Sequence, residues 1–132
     1  MKLLVVGSRS ITDKSRINRY LDKFISRMSI TMIISGGARG VDTLAKKYGD
    51  DREIPVKEFI PDWSIGKHAG FVRNEDMFKE CDVCIAFWDG ESVGTKDNIR
   101  LSKKYNKPLY MHNFKLNRIE YYHNGMVVFG NL

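Results

Sequence analysis

Three times in this chain an apolar run leads straight into a turn rich in Gly, Ser, Arg and Asp, and each turn opens a helical pattern. The runs are Leu3–Val6, Ile30–Ile34 and Asp82–Trp88; their turns are Gly7-Ser8-Arg9-Ser10, Ser35-Gly36-Gly37-Ala38-Arg39-Gly40-Val41-Asp42 and Asp89-Gly90-Glu91-Ser92-Val93-Gly94-Thr95-Lys96. A strand that is apolar almost throughout has both faces buried, as the central strands of a parallel sheet do. Parallel strands are joined by crossover helices, and the fixed hand of those crossovers places helices on both faces. The pattern therefore predicts an α/β fold of three layers around an open parallel sheet. Ligands of such sheets sit beyond the carboxyl ends of the strands, where the strand order reverses. Three such turns on one sheet edge predict a ligand crevice there.

The rest of the chain fits this frame. Asp13 is a candidate N-cap for a first helix whose Ile17, Tyr20, Leu21, Phe24, Ile25 and Met28 recur at three-and-four spacing. A second helix runs from Asp42 to about Gly49, with Val41, Leu44, Ala45 and Tyr48 on one face. Pro55–Ile60 mixes charge into a short strand, which suits a sheet edge. The loop Pro61–His68 is long enough to fold over a site, and a third helix spans about Ala69–Glu80. A fourth helix, about Gly94–Tyr105, precedes a fifth strand, Leu109–His112. In the tail, Asn124-Gly125 between Ile119–Tyr122 and Met126–Phe129 signals a hairpin. Residues 113–132 are thus expected as a hairpin extension of a domain spanning 1–112. That hairpin either extends the sheet or joins two subunits into a homo-oligomer.

A chain of 132 residues, 42% hydrophobic and 29% charged, suits one globular domain. No apolar run reaches membrane-spanning length, and the opening Met1–Gly7 is too short for a secretory apolar region, so a cytosolic protein is expected. Cys81 and Cys84 end one helix and enter the next strand, where residues three apart point to opposite faces. They read as core thiols and not as a redox pair opening a helix. No His, Cys and carboxylate cluster has metal-ligand spacing, so neither a metal nor a cofactor is expected. The net charge of +6 admits anionic partners from nucleotides to nucleic acid. The basic residues are scattered, which places nucleic acid behind a small molecule.

Ser35–Asp42 is the strongest single candidate. Glycines let backbone N–H groups approach a phosphate, and a helix N-terminus carries partial positive charge. The string fits neither the dinucleotide fingerprint nor the P-loop lysine motif, so a plain structural connector is the competing reading.

Taken together, Gly7-Ser8-Arg9, Ser35–Asp42, Pro61-Asp62-Trp63, Gly66-Lys67, Arg73-Asn74 and Asp89-Gly90 with Gly94-Thr95 resemble the YspA/YpsA-related branch of the SLOG superfamily. That superfamily includes the LOG-type lysine decarboxylase-like proteins and the DNA-processing protein DprA. The resemblance covers about residues 1–112 and suits a bacterial or a phage gene. It implies a Rossmann-like sheet of order 3-2-1-4-5 and a nucleotide or nucleotide-derived ligand between the glycine turns. With that order the first and fourth strands are neighbours, which puts Gly7-Ser8-Arg9 beside Gly90–Thr95. LOG-type relatives cut the N-glycosidic bond of a nucleoside monophosphate using an arginine and a glutamate. Arg73 fits the arginine's place, whereas Asn98 stands about where the glutamate belongs. An amide cannot act as a base, so Glu91 or Asp97 would have to substitute.

The expected ligand-binding set is Gly7, Ser8, Arg9, Gly36, Gly37, Arg39, Gly40, Asp42, Lys67, Gly90, Gly94 and Thr95. Arg73, Glu91 and Asp97 are the catalytic candidates. The competing readings are helix caps for Asp42 and Thr95, surface ion-pair partners for Arg9 and Arg73, and a solvated turn residue for Arg39. Trp63 and Trp88 flank the expected site as stacking candidates, although buried structural tryptophans are commoner. The leading reading is a small nucleotide-binding module. The alternatives are a nucleotide N-glycosidase (phosphoribohydrolase-like) enzyme and a single-stranded nucleic-acid binder.

Overall fold

The computed structural model describes residues 1–132. The strands are β1 (Lys2–Gly7), β2 (Met32–Ser35), β3 (Val56–Glu58), β4 (Val83–Trp88), β5 (Leu109–Asn113), β6 (Arg118–His123) and β7 (Met126–Asn131). The helices are α1 (Lys14–Ile25), α2 (Val41–Asp51), α3 (Ala69–Glu80), α4 (Val93–Lys96) and α5 (Asn98–Lys104). All seven strands form one sheet of order β3-β2-β1-β4-β5-β6-β7. The first five pair in parallel and β6 and β7 antiparallel, so the expected parallel core and hairpin are both present.

Side chains alternate along each strand and feed two cores. On one face Leu3, Val5, Ile33, Val83, Ile85 and Phe87 pack against Ile17 and Leu21 of α1 and Val41, Ala45 and Tyr48 of α2. On the other, Leu4, Val6, Ile34, Cys84, Ala86, Leu109 and Met111 pack against Met77 and Phe78 of α3 and Leu101 of α5. The expected apolar stripe of α1 is the one that faces the sheet, and Asp13 caps that helix by accepting from Arg16 N–H at 3.1 Å. Both thiols are free and buried, and burial pushes Cys81 up to about 12.

Two elements depart from the sequence reading, and the tail hairpin takes one of its two expected places. The expected fourth helix is broken at Asp97 into α4 and α5. β3 is only three residues long, because its edge position leaves Lys57 and Glu58 exposed. The tail hairpin turns through Asn124 and Gly125, both at positive φ (52° and 74°), and pairs β6 with β5, so it lengthens the sheet. No helix is long and apolar enough to cross a membrane.

β1 and β4 lie side by side, with Gly7 opposite Phe87, and the chain leaves β1 toward α1 on one face and β4 toward α4. This is the switch point, and the site lies at its carboxyl end.

Candidate functional site

A crevice of about 430 Å³ opens there. Its lining comes from all the predicted turns and from α3: Gly7, Arg9 and Ser10 after β1; Ala38 and Asp42 after β2; Arg73, Asn74 and Met77 on α3; Asp89, Ser92, Gly94, Thr95 and Asn98 after β4. Only Val6, Ala38 and Met77 are apolar, so the crevice suits a polar or charged group.

Hydroxyls and a carboxylate bind the two walls of the switch point together. Asp89 N–H donates to Ser8 Oγ at 3.1 Å, and Ser8 Oγ lies 3.1 Å from Thr95 Oγ1. Thr95 Oγ1 donates on to Ser92 Oγ at 3.1 Å, so the buried Ser8 hydroxyl supplies the proton of its bond to Thr95. Asp89 accepts from Ser10 Oγ at 2.7 Å and from the N–H groups of Glu91 and Ser92 at 2.9 and 2.8 Å. Desolvation acts to raise the Asp89 pKa, but these hydrogen bonds outweigh it and hold the carboxyl below its ordinary value.

The other wall is ionic. Arg73 donates through Nη1 to the carbonyls of Gly36 and Phe59 and through Nε to Asn74 Oδ1 at 2.8 Å. Its Nη2 makes no hydrogen bond within the chain. Asp42 is buried and accepts from Ala38 N–H at 3.1 Å. Burial raises its pKa, opposed by that N–H and by the charges of Arg73 and Arg9. Burial in turn lowers the Arg73 pKa, with Asp42 opposing it. Gly36 makes this meeting possible. A Cβ there would lie 2.8 Å from Arg73 Nη1 and 2.9 Å from Asp42 Oδ2.

The predicted residues separate on this geometry. Gly7, Arg9, Asp42, Arg73, Gly94 and Thr95 line the crevice, and Ser8 lies beneath it. In the Ser35–Asp42 turn the Asp42 carboxylate accepts from Ala38 N–H, so that donor is already engaged within the chain. Gly36 acts through its carbonyl and its missing side chain. Gly37 packs against Ile60, and Gly40 packs against the backbone of Arg9 (φ +72° and +73°). Gly90 lies under the Lys115 side chain. Arg39 and Lys67 are exposed and outside the lining.

The substitute carboxylates are not brought to the crevice. Glu91 is exposed and pairs with Lys115 at 3.9 Å, and Asp97 is turned to Arg100 at 2.8 Å. The reason is helical geometry: one residue along from Asn98 is about 100° around the axis. Asn98 itself is buried in the lining and donates to Thr95 O at 2.9 Å. The carboxylates that do line the crevice are Asp42 and Asp89. Sequence reasoning missed Asp89, Ser10, Ser92 and Asn74 as site residues. Ser92 and Thr95, three apart at a helix start, carry a capping signature that would have pointed to two of the hydroxyls. Trp88 is half-buried and its Nε1 is taken by Ser92 O at 2.9 Å.

Comparisons with known proteins agree with this architecture. The family model for the YspA, cpYpsA-related SLOG family matches residues 1–66. The gene 61 protein of Mycobacterium phage D29 is 31% identical over 116 residues, spanning 82% of this chain and 93% of that protein. The fold is also similar to that of DNA processing protein A from Helicobacter pylori, whose structure was described for its single-stranded DNA binding mode. The TM-score is 0.59 at 24% identity, over 84% of this chain and 64% of that one. The sheet order, the switch-point crevice and the matched sequence lead to one assignment: the chain belongs to the YspA/cpYpsA-related SLOG family.

Proposed function

We propose that this chain binds a nucleotide or nucleotide-derived ligand, holding its phosphate in the crevice between the β1 and β4 turns. The observation that carries the reading is the convergence of Arg73 and Arg9 on a polar crevice floored by the Ser8–Thr95–Ser92 hydroxyls. A guanidinium with an unspent Nη2 offers two N–H groups to a phosphate, and Arg9 has no ion-pair partner within the chain. Asp42 and Asp89 keep the crevice from being purely cationic, which favours a ligand with sugar hydroxyls beside its phosphate over a bare anion. Asn98 supplies an amide where hydrolysis would need a base, so binding without turnover is the better reading. Mass spectrometry of small molecules released from the purified protein tests this. A nucleotide-class mass at stoichiometric level supports it, and its loss in Arg73→Ala assigns it to the crevice.

A second reading is binding of single-stranded nucleic acid. The net charge of +6 and the likeness to DNA processing protein A favour it. It predicts a gel shift at low salt that weakens steeply as salt is raised. The absence of any shift at low salt removes it.

A further inference from the structure

We propose that Trp63 is the base platform of this site: its exposed indole stacks on the ligand's nucleobase while the crevice holds the phosphate and sugar. The inference rests on the nucleotide reading of the crevice and adds where the base goes and how it is recognised.

The crevice lining contains no aromatic side chain, so a base has nothing to stack on inside it. Trp88 is excluded by its bond to Ser92 O and its packing into the core. Trp63 is 62% exposed, although burying an indole is among the larger apolar gains a chain can make. Its place is specific. The ring edge, Cη2, lies 3.9 Å from where a Gly70 Cβ would sit. Gly70 precedes Arg73 and Asn74 by three and four residues on α3, so it shares their face one turn, about 5.4 Å, along the axis. Trp63 therefore stands beside the first turn of α3, one turn before the Arg73 and Asn74 that line the crevice.

The segment carrying Trp63 is ordered before any ligand arrives. Asp62 accepts from Ser64 N–H at 3.1 Å and Ser64 Oγ at 2.5 Å, closing a single 3-10 turn over Trp63–Ile65. Gly66 N–H then returns to Trp63 O at 3.1 Å. A backbone already fixed in this turn leaves only the side-chain torsions to be ordered on binding, which favours a stacking platform. The exposed Lys67 follows the turn and adds a positive charge to this ledge. No polar group is aimed at the edge of a stacked base from the ring itself, so recognition is by the π face and tolerates different bases.

The test compares the wild type, Trp63→Ala and Trp63→Phe by calorimetry against AMP and against ribose 5-phosphate. The expected result is a loss of about 5- to 100-fold in AMP affinity for Trp63→Ala, with ribose 5-phosphate unchanged and Trp63→Phe close to wild type. Unchanged AMP affinity in Trp63→Ala overturns the platform while leaving the crevice reading standing. Equal weakening for both ligands also overturns it, because a distorted crevice and not a lost stack is then responsible. If the wild type binds neither ligand, the platform as stated is overturned, while the crevice reading is decided by a wider panel of nucleotides. If Trp63→Ala retains AMP but loses self-association, the ring belongs to a contact between copies and the proposal is wrong.

Discussion

The guanidinium of Arg73 and the carboxylate of Asp42 flank the bare face of Gly36, one donating to the Gly36 carbonyl and the other accepting from Ala38 N–H. The glycine matters because nothing larger fits between the two charges. Asp42 is buried and Arg73 partly so, and each is kept charged in part by the other.

Gly36→Ala and Gly37→Ala are therefore expected to fail in opposite ways. A methyl group at Gly36 displaces the movable ends of Arg73 and Asp42, so the fold persists while phosphate affinity falls about tenfold, the worth of one charge-assisted hydrogen bond. At Gly37 the φ of +72° strains any side chain and the methyl group meets Ile60, so stability falls by about 1 kcal/mol and affinity is spared. Paired thermal melts and calorimetry separate the two outcomes.

Asp42→Asn is expected to stabilise the protein at neutral pH. The folded-state pKa of Asp42 is raised, so its ionisation works against the fold: its contribution to stability is full below the unfolded value and is lost as pH rises through the folded value. An amide keeps an acceptor for Ala38 N–H and removes the buried charge. A Tm gain of a few degrees at pH 7, vanishing toward pH 4, is the expected signature in differential scanning calorimetry.

His112 gives a pH dependence of opposite sign. It is buried against Tyr20 and Phe87, its Nδ1 has no partner, and burial lowers its pKa to about 4. The unfolded chain takes up a proton near pH 6.5, so the stability this neutral ring contributes is full above that value and is lost as pH falls toward 4. Between pH 7 and pH 5 the loss is about 2 kcal/mol, and His112→Phe removes that slope from urea titrations at the two pH values.

Base release is not expected. With Asn98 in the lining and Glu91 and Asp97 turned to Lys115 and Arg100, no carboxylate stands where a LOG-type mechanism uses one. Incubation with the four common nucleoside monophosphates should yield no free base by chromatography. Release abolished by Arg73→Ala would instead make Asp42 or Asp89 the working carboxylate.

The fold was legible because its signal is physical and local. Leu3–Val6 and Val83–Trp88 are apolar without interruption, and only a two-sided environment makes that favourable. The Asn124-Gly125 turn was legible for the same reason, since few residue pairs accept positive φ together. The site was legible in outline only. Arg9, Asp42, Arg73 and Thr95 line the crevice, while of the Ser35–Asp42 turn only Ala38 and Asp42 reach the lining. A glycine pattern shows where backbone can approach closely; here the group that approaches is the chain's own Arg73 and Asp42. Nor does a string of letters show that Asp89 reaches Ser10, because that contact exists only once β1 and β4 are neighbours.

The most direct measurement is calorimetric titration of the wild type and Arg73→Ala with a panel of nucleoside monophosphates, cyclic nucleotides and ADP-ribose-like compounds. The account predicts saturable binding of at least one member, weakened at least tenfold in Arg73→Ala and accompanied by a matching ligand-induced rise in wild-type Tm. Absence of binding across the panel, or binding that Arg73→Ala leaves untouched, would contradict it.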